Sequence, residues 1–448
     1  MTVITRFAPS PTGEMHVGNV RTALHNWLFA HHMGGRCLLR IDDTDTARSE
    51  ERFVAGIRAD LAWLGLPMDS EVRQSRRFDL YEARFEDLRA ASRVYPCYET
   101  AQELELRRKI LLGRGLPPVY DRAALSLTPA QIAAHEAEGR RPHWRFLLDH
   151  DAPIAWTDLV RGEQHFEPAL LSDPVIRRAD GSWLYMLPSV IDDIDMGITH
   201  IVRGEDHVSN TATQLQMFGA LGGAVPTLAH TALLTGAEGK LSKRLGSLGM
   251  GTLREAGIEP IAIAALLARL GTSDPVEPVI DMAPLVAGFD FAKFGRAPAR
   301  FAEEELAGLN QKIVHMLPYE AVADRLPAAV TAPVWAAIRP NLATVGEAAD
   351  WLPILCGDVV PPAPEEADRA YLAAAADILA DLDWAGEADP WHALTATLKG
   401  MTGRKGKPLF LPLRQALTGM DHGPDMAALL PIIGRDRALA RLRAAAGG

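Results

Sequence analysis

The N-terminal segment restricts the fold more strongly than any other part of the chain. Residues 3–7 form a short apolar run typical of a buried strand, and the Pro- and Gly-rich residues 9–13 end it in a turn. His16 and Gly18 follow at the start of a stretch whose apolar residues recur at helical spacing from Val20. Free backbone N–H groups and the positive end of a helix dipole attract anions, so this unit predicts a parallel α/β fold with an anion-binding turn.

A second motif lies far along the chain, where residues 240–244 read K-L-S-K-R in a loop flanked by glycines. Its two lysines and one arginine could close over a polyphosphate and stabilise the charge that develops as a leaving group departs. Taken alone, a basic stretch of this length is usually solvated surface, and His16 alone fits a histidine whose hydrogen bonds are satisfied within a turn. Together the two motifs favour a nucleotide site.

The pattern along the chain predicts an α/β fold in which a Rossmann-like parallel sheet is split by an inserted domain and followed by an all-α C-terminal region. We expect residues 1–95 and 185–247 to form the nucleotide-binding domain and residues 96–184 to form the insertion. Residues 248–315 are expected to be a helical connecting region, and residues 316–448 an α-helical domain.

Composition limits the classes of function. The 448 residues are 48% hydrophobic and 23% charged, which is the balance of a globular protein, and no apolar run approaches the ~20 residues that span a bilayer. We therefore expect no membrane partner and a cytoplasmic location. The net charge of −11 argues against unspecific nucleic-acid binding. Three cysteines without C-x-x-C spacing support neither a disulfide framework nor a zinc site.

The wording P-S-P-T-G-x-x-H-x-G-N, followed by K-x-S-K-R, resembles class I aminoacyl-tRNA synthetases, and in detail it is similar to the bacterial glutamyl-tRNA synthetases. The resemblance covers most of residues 1–310, with a shorter match at residues 405–419. It implies ATP-dependent ligation of L-glutamate to tRNA through a glutamyl-adenylate, with Mg²⁺ bridging the phosphates. The tRNA is expected to be tRNA-Glu, and tRNA-Gln stays open as a second acceptor.

The resemblance also implies roles for residues of the two motifs. His16, Gly18, Lys240, Lys243 and Arg244 correspond to catalytic positions. The expected ATP-binding residues are Thr12, Gly13, His16, Gly18, Asn19, Lys240, Ser242 and Lys243.

A glutamate substrate calls for arginine, whose planar guanidinium can bind a carboxylate through two hydrogen bonds. The resemblance assigns Arg6 and Arg203 to this task, and glutaminyl relatives lack an arginine at the second position. It places five further residues in the pocket, namely Ala8, Ser10, Asp42, Tyr185 and Ser189. Asp42 departs from the family pattern, which reads R-I-E-D-T-D there. The alternative for residues 40–45 is a surface ion-pair cluster, worth ~0–1 kcal/mol.

The insertion carries the arginines expected to bind tRNA, which are Arg107, Arg108, Arg114, Arg140 and Arg141. A solvated basic face is the alternative for these runs. Some members of the resembled family carry a zinc knuckle starting at the position of Cys97, but the run Cys97-Tyr-Glu-Thr100 offers one ligand, so no zinc is expected. No sustained heptad pattern is present, so we expect a monomer.

Two other functions remain open at this point. One is an adenylyltransferase that uses a similar turn on a small metabolite, and the other is a catalytically silent paralogue that binds RNA. Residues 408–414 echo the C-terminal helical domain of the resembled family, which argues against the first and against shortened paralogues that modify tRNA.

Overall fold

The computed structural model describes residues 2–236, 248–384, 386 and 389–447, and the backbone alone of residues 239–240. The chain divides into two compact units. The first consists of Met1–Glu255 and Ile263–Glu303, and the second of Ala256–Ala262 and Glu304–Gly448.

The strands of the described residues all lie in the first unit. They are β1 (Ile4–Phe7), β2 (Arg36–Ile41), β3 (Glu71–Arg73), β4 (Val94–Cys97), β5 (His143–Phe146), β6 (Ile154–Asp158), β7 (Gly162–Phe166), β8 (Val175–Arg177), β9 (His200–Gly204), β10 (Thr227–Thr231), β11 (Leu234–Gly236), β12 (Gly239–Lys240) and β13 (Ala299–Arg300).

The central strands are parallel and form two groups that meet at Thr199. In the first group β1 pairs with β2 and β2 with β3, and in the second β9 pairs with β10 and β10 with β6. The backbone N–H of Thr199 donates to the Ile4 carbonyl at 2.9 Å, and its hydroxyl accepts from the Ile4 N–H at 2.8 Å. The order is therefore β3-β2-β1-β9-β10-β6. Ligands of open α/β sheets bind where the strand order reverses, which here is between β1 and β9.

The sheet also includes residues that the sequence boundary assigned to the insertion. β6 pairs in parallel with β10, and β7 continues the sheet as an antiparallel edge strand. A second difference is β13, which pairs with β11 although no strand was expected after residue 247. β6 and β13 are short strands whose partners β10 and β11 are distant in sequence, so local hydropathy gives no signal for their pairing.

Helices lie along the chain between and after the strands of the parallel sheet. They are α1 (Val17–His32), α2 (Glu51–Trp63), α3 (Phe78–Ala90), α6 (Met186–Asp195), α7 (Val208–Ala220), α8 (Met250–Glu255), α9 (Pro260–Arg269) and α10 (Ala283–Ala287). One buried apolar cluster joins α3, α6 and α7 to the strands through Phe85, Leu187 and Met217, among others. Burying such side chains stabilises the unit by ~1.5–3 kcal/mol each.

The inserted region forms a small antiparallel sheet in the order β4-β5-β8. Two helices accompany it, α4 (Ala101–Gly113) and α5 (Pro129–Ala137), and each begins with a capping box, at Thr100 and Thr128. Neither helix has a buried residue, so both present most of their surface to solvent.

The described residues of the second unit form helices joined by loops, and no strand is found among them. Its helices are α11 (Glu303–Val314), α12 (Ala332–Ile338), α13 (Leu352–Cys356), α14 (Glu366–Asp381), α15 (Pro390–Thr402), α16 (Lys407–Thr418), α17 (Met426–Ile433) and α18 (Arg435–Ala446). Arg441 of α18 is buried and donates to the carbonyls of Leu417 at 2.6 Å, Gly357 at 2.8 Å and Ile354 at 2.9 Å. In neither unit is a described helix both long and apolar enough to cross a membrane.

Candidate active site

His16 caps the helix that follows β1. Its Nδ1 accepts a hydrogen bond from the Gly18 N–H at 3.1 Å, while the Asn19 side-chain oxygen accepts from the His16 N–H at 3.3 Å. Burial lowers the pKa of His16, so the ring is neutral near pH 7. Because Nδ1 is an acceptor, the proton sits on Nε2, which makes no hydrogen bond to a described residue and can donate to a ligand.

Gly18 is needed for this geometry. A Cβ at that position would lie 2.9 Å from Cε1 and 3.1 Å from Nδ1 of His16, closer than real Cβ contacts. Any larger residue would push the imidazole out of its capping position. Thr12 is exposed and Gly13 half-buried on the turn that precedes the helix, and the Thr12 N–H donates to the Ser10 carbonyl at 2.9 Å.

The residues that follow the lysine-rich segment contact this turn. Lys240 lies in β12, where it pairs with Thr235, and the carbonyl of Leu248 accepts from the Val17 N–H at 3.2 Å. The Met250 N–H donates to the Met15 carbonyl at 3.1 Å, which fixes the chain after the segment to the His16 turn. Ser242, Lys243 and Arg244 lie outside the described residues, as does the side chain of Lys240.

Arg203 lies at the carboxyl end of β9 and is only 8% exposed. Its Nη2 donates to Gln214 Oε1 at 2.9 Å and to the Thr211 hydroxyl, and its Nε donates to His230 Nε2 at 3.3 Å. All three acceptors are neutral. Burial, and then the charge of Arg6, lower the pKa of Arg203 to about 10, so it remains a cation at neutral pH.

Arg6 and Asp42 belong to a buried network centred on Arg40. Arg40 donates to both carboxylate oxygens of Asp42, at 2.6 and 3.1 Å, and to Asp193 at 2.7 Å. Asp193 also accepts from Arg6 Nε at 3.0 Å, and the Ser189 hydroxyl accepts from Arg40 at 2.9 Å. The surface ion-pair alternative is wrong for Arg40, which is 1% exposed. Ser189 is itself buried and contacts this arginine.

The remaining pocket candidates surround the same edge of the sheet. Tyr185 immediately precedes α6, and its hydroxyl lies 3.5 Å from Nδ1 of His207. Burial raises the pKa of Tyr185, which keeps the phenol protonated, and the nearby Arg203 charge opposes this shift. Ala8 is half-buried and Ser10 exposed in the turn after β1.

Sequence reasoning missed three residues of this group, which are Asp193, His207 and His230. The run of acidic residues at the end of α6 was a usable signal, because carboxylates inside an otherwise apolar segment need a cationic partner.

The five arginines proposed for tRNA lie on the surface of the inserted region. Arg107 pairs with Asp121 at 3.1 Å, Arg140 with Glu138 at 3.1 Å and Arg108 with Glu105 at 3.7 Å. Exposed pairs of this kind are worth ~0–1 kcal/mol, so a phosphate could displace the carboxylates at small cost. Arg114 and Arg141 are exposed and have no ion pair within the described part of the chain.

The position of the family's zinc knuckle holds a different cluster. Ligand atoms of Cys97, Glu99 and His143 lie within 4.8 Å of one another, and Glu99 Oε2 and His143 Nε2 are buried without a hydrogen-bond partner. Tyr120 donates to the other Glu99 oxygen at 2.6 Å, and the Arg145 guanidinium stacks on the Tyr120 ring at 4.1 Å. Structural zinc takes four ligands at about 2.0–2.3 Å. The cluster offers three possible ligand atoms, one fewer than a structural zinc site takes, and the Arg145 guanidinium lies beside it.

The whole length of the chain matches known families. A family model for the catalytic domain of class I tRNA synthetases (E and Q) matches residues 2–307, and a model for an anticodon binding domain matches residues 313–446. The chain belongs to the class I tRNA synthetases of the E and Q group. The predictions of this family and of its split α/β fold with a helical C-terminal region are confirmed.

Individual relatives match this chain over nearly all of their length. The chain is 71% identical over 447 residues to glutamate--tRNA ligase 2 of Sphingopyxis alaskensis, with 100% of both chains covered. It is 69% identical to glutamate--tRNA ligase 1 of Rhizorhabdus wittichii, covering 99% of this chain and 100% of that one. A crystal structure of a glutamate tRNA ligase from Elizabethkingia meningosepticum in complex with its amino acid has a TM-score of 0.86 and 27% identity, covering 100% of this chain and 99% of that one.

Proposed function

We propose that the protein ligates L-glutamate to tRNA with ATP, by way of a glutamyl-adenylate. The observation that carries this proposal is Arg203, a buried cation at the point where the strand order reverses, which forms no ion pair with a carboxylate of the described residues. A ligand that brings its own side-chain carboxylate completes such a site, whereas the uncharged amide of glutamine leaves the guanidinium without a counter-charge.

The geometry of the His16 turn supports a role in binding ATP. His16 offers its Nε2 proton and the N-terminus of α1 offers backbone N–H groups, so the phosphates of ATP are bound at the His16 turn, with Thr12, Gly13, Gly18 and Asn19. Lys240, Ser242, Lys243 and Arg244 are proposed to stabilise the departing pyrophosphate. Mg²⁺ neutralises the phosphates when it is bound to them, and we assign it no protein ligand.

The amino acid is proposed to lie between Arg6 and Arg203, with Ala8, Ser10 and Tyr185 around it. Burial raises the pKa of Asp42, and the two-point contact with Arg40 opposes this shift. The carboxylate form of Asp42 is proposed to receive the substrate ammonium group. Its side chain is one methylene shorter than the glutamate of the family pattern, so the ammonium group must approach closely or be reached through water.

The tRNA is proposed to contact both parts of the chain. Residues 96–184, with Arg107, Arg108, Arg114, Arg140 and Arg141, are assigned to its acceptor end, residues 248–315 to its stem and residues 316–448 to its anticodon. The ribose hydroxyl of the terminal nucleotide, the 2′-OH in the resembled family, then attacks the mixed anhydride and AMP leaves. We further propose that the protein is a cytoplasmic monomer without zinc.

A charging assay tests the function. Purified protein, ATP, Mg²⁺ and labelled L-glutamate are incubated with tRNA-Glu or with tRNA-Gln, and esterified label is counted. We expect label on tRNA-Glu, and label on tRNA-Gln reveals whether the second acceptor is used. Binding of tRNA without esterification of either one contradicts the proposal and supports the silent paralogue instead.

A further inference from the structure

Three polar side chains lie side by side across the parallel sheet. Arg203 of β9 and His230 of β10 are direct partners in the strand register. Asp158 ends β6, the next strand, and its Oδ2 lies 2.5 Å from His230 Nδ1. His230 and Asp158 are both buried, so no solvent takes part in these contacts. Neither was among the site residues expected from sequence.

The contacts determine where the His230 proton lies. Burial disfavours the charged form of Asp158, but hydrogen bonds from His230 and from backbone N–H groups lower its pKa, so it is a carboxylate. Burial lowers the pKa of His230 despite this neighbour, so the imidazole is neutral. A carboxylate cannot donate, so Nδ1 carries the proton and Nε2 presents its lone pair. That lone pair faces Arg203 Nε at 3.3 Å and the Thr211 hydroxyl at 2.7 Å.

The arrangement orients Arg203 without neutralising it. Its Nε and Nη2 donate to His230, Thr211 and Gln214, while Nη1 makes no hydrogen bond to a described residue. A carboxylate in direct contact would hold the guanidinium equally well, but it would also compete with an incoming anionic ligand. Here the carboxylate of Asp158 lies one imidazole ring away. The guanidinium therefore keeps its charge and one unused N–H pair.

We propose that Asp158 and His230 are positioning residues that hold Arg203 ready for the side-chain carboxylate of glutamate and so contribute to selection of glutamate over glutamine. This inference rests on the proposed function. It assigns to Asp158 the choice of the His230 tautomer, and to His230 the orientation of the Arg203 guanidinium plane.

Asp158→Asn tests the contacts that link Asp158 to His230 and His230 to Arg203, because asparagine has nearly the same shape as aspartate. The Asn oxygen can still accept from the N–H groups of Val160 and Arg161, each 3.0 Å from Asp158 Oδ1. The amide of the Asn side chain, however, donates toward His230 Nδ1 and moves the histidine proton to Nε2. A protonated Nε2 can no longer accept the hydrogen bond from Arg203 Nε. The matched control is Asp69→Asn, because exposed Asp69 accepts from the Cys37 N–H and lies outside the pocket.

In charging assays we expect Asp158→Asn to raise the KM for glutamate about 10- to 100-fold, the range for a lost hydrogen bond to a charged group. The KM for ATP should stay within about twofold, and selectivity for glutamate over glutamine should fall. The control variant should match the wild type. An unchanged glutamate KM, or an equal loss for glutamate and ATP, overturns the proposal.

A second measurement does not depend on activity. In protein with ¹⁵N-labelled histidine, the His230 signals are identified by their absence from a His230→Leu variant. We expect Nδ1 protonated and Nε2 bare in the wild type, and the reverse in Asp158→Asn. Protonated Nε2 in the wild type refutes the positioning role even if the protein charges tRNA. The expected tautomer in a protein that charges no tRNA refutes the proposed function and with it the substrate-selecting role.

Discussion

At the scale of single residues, Arg203 makes the strongest prediction. Arg203→Ala removes the one pocket guanidinium that has no carboxylate partner among the described residues, so the substrate side chain loses its counter-charge. We expect the KM for glutamate to rise about 100-fold, corresponding to ~2.7 kcal/mol. Steady-state charging of tRNA measures it. Arg178→Ala, which removes an exposed arginine, is the control. Unchanged KM and kcat would show that the proposed carboxylate contact is wrong.

Lys243 is the residue on which the proposed chemistry depends most directly. Lys243→Ala removes a cation that stabilises the departing pyrophosphate, so adenylate formation should fall about 100-fold or more, with unchanged thermal unfolding. ATP–pyrophosphate exchange in the presence of tRNA measures the first step. Exposed Lys399→Ala should behave like wild type. Exchange at the wild-type rate in Lys243→Ala contradicts the assigned role.

How much of the site could be predicted depends on sequence distance. His16, Gly18 and Asn19 form one short motif, and their hydrogen bonds are local, so the sequence contains the whole pattern. Asp158 and His230 come from separate strands, 72 positions apart, and acquire meaning only when β6 and β10 pair. No short stretch of sequence, of the length that determines a single helix or strand, contains both residues.

At the scale of elements, α18 is held in place by Arg441. The Arg441 guanidinium donates hydrogen bonds to carbonyls of α13 and α16, and burial lowers the pKa of Arg441. Arg441→Met leaves several buried carbonyls without donors, which should reduce the free energy of unfolding by about 2–4 kcal/mol. Urea unfolding followed by circular dichroism measures the change. Arg443→Met, on the exposed side of the same helix, should change it by less than about 0.5 kcal/mol.

Long helices and the first strand–helix unit could be predicted because their patterns are local. The apolar spacing after His16 matches α1, which buries ten of its residues. The β6–β7 hairpin could not be assigned to the central sheet from sequence, because its alternating pattern fits an inserted domain equally well. What decides the pairing is the surface of β10, which the chain reaches more than sixty residues later.

At the scale of the whole molecule, the three cysteines should differ in reactivity. Burial raises the pKa of Cys37 and of Cys97 to about 12, so both thiols are protonated at pH 8, while Cys356 is exposed. Alkylation of native protein with iodoacetamide at pH 8 should therefore label Cys356 alone, and denatured protein should be labelled at all three. Mass spectrometry of the peptides measures this. Rapid native labelling of Cys97 would contradict the buried cluster around Tyr120.

The contact between Thr199 and Ile4 joins residues 195 positions apart at the middle of the sheet. At ~5–20 residues per second a ribosome takes about 10–40 s to make the intervening polypeptide. During that interval β1 and β2 exist without their neighbour and expose an unpaired edge. Nascent chains of this protein therefore pass through an aggregation-prone stage, and holding chaperones should matter most before β9 emerges from the exit tunnel.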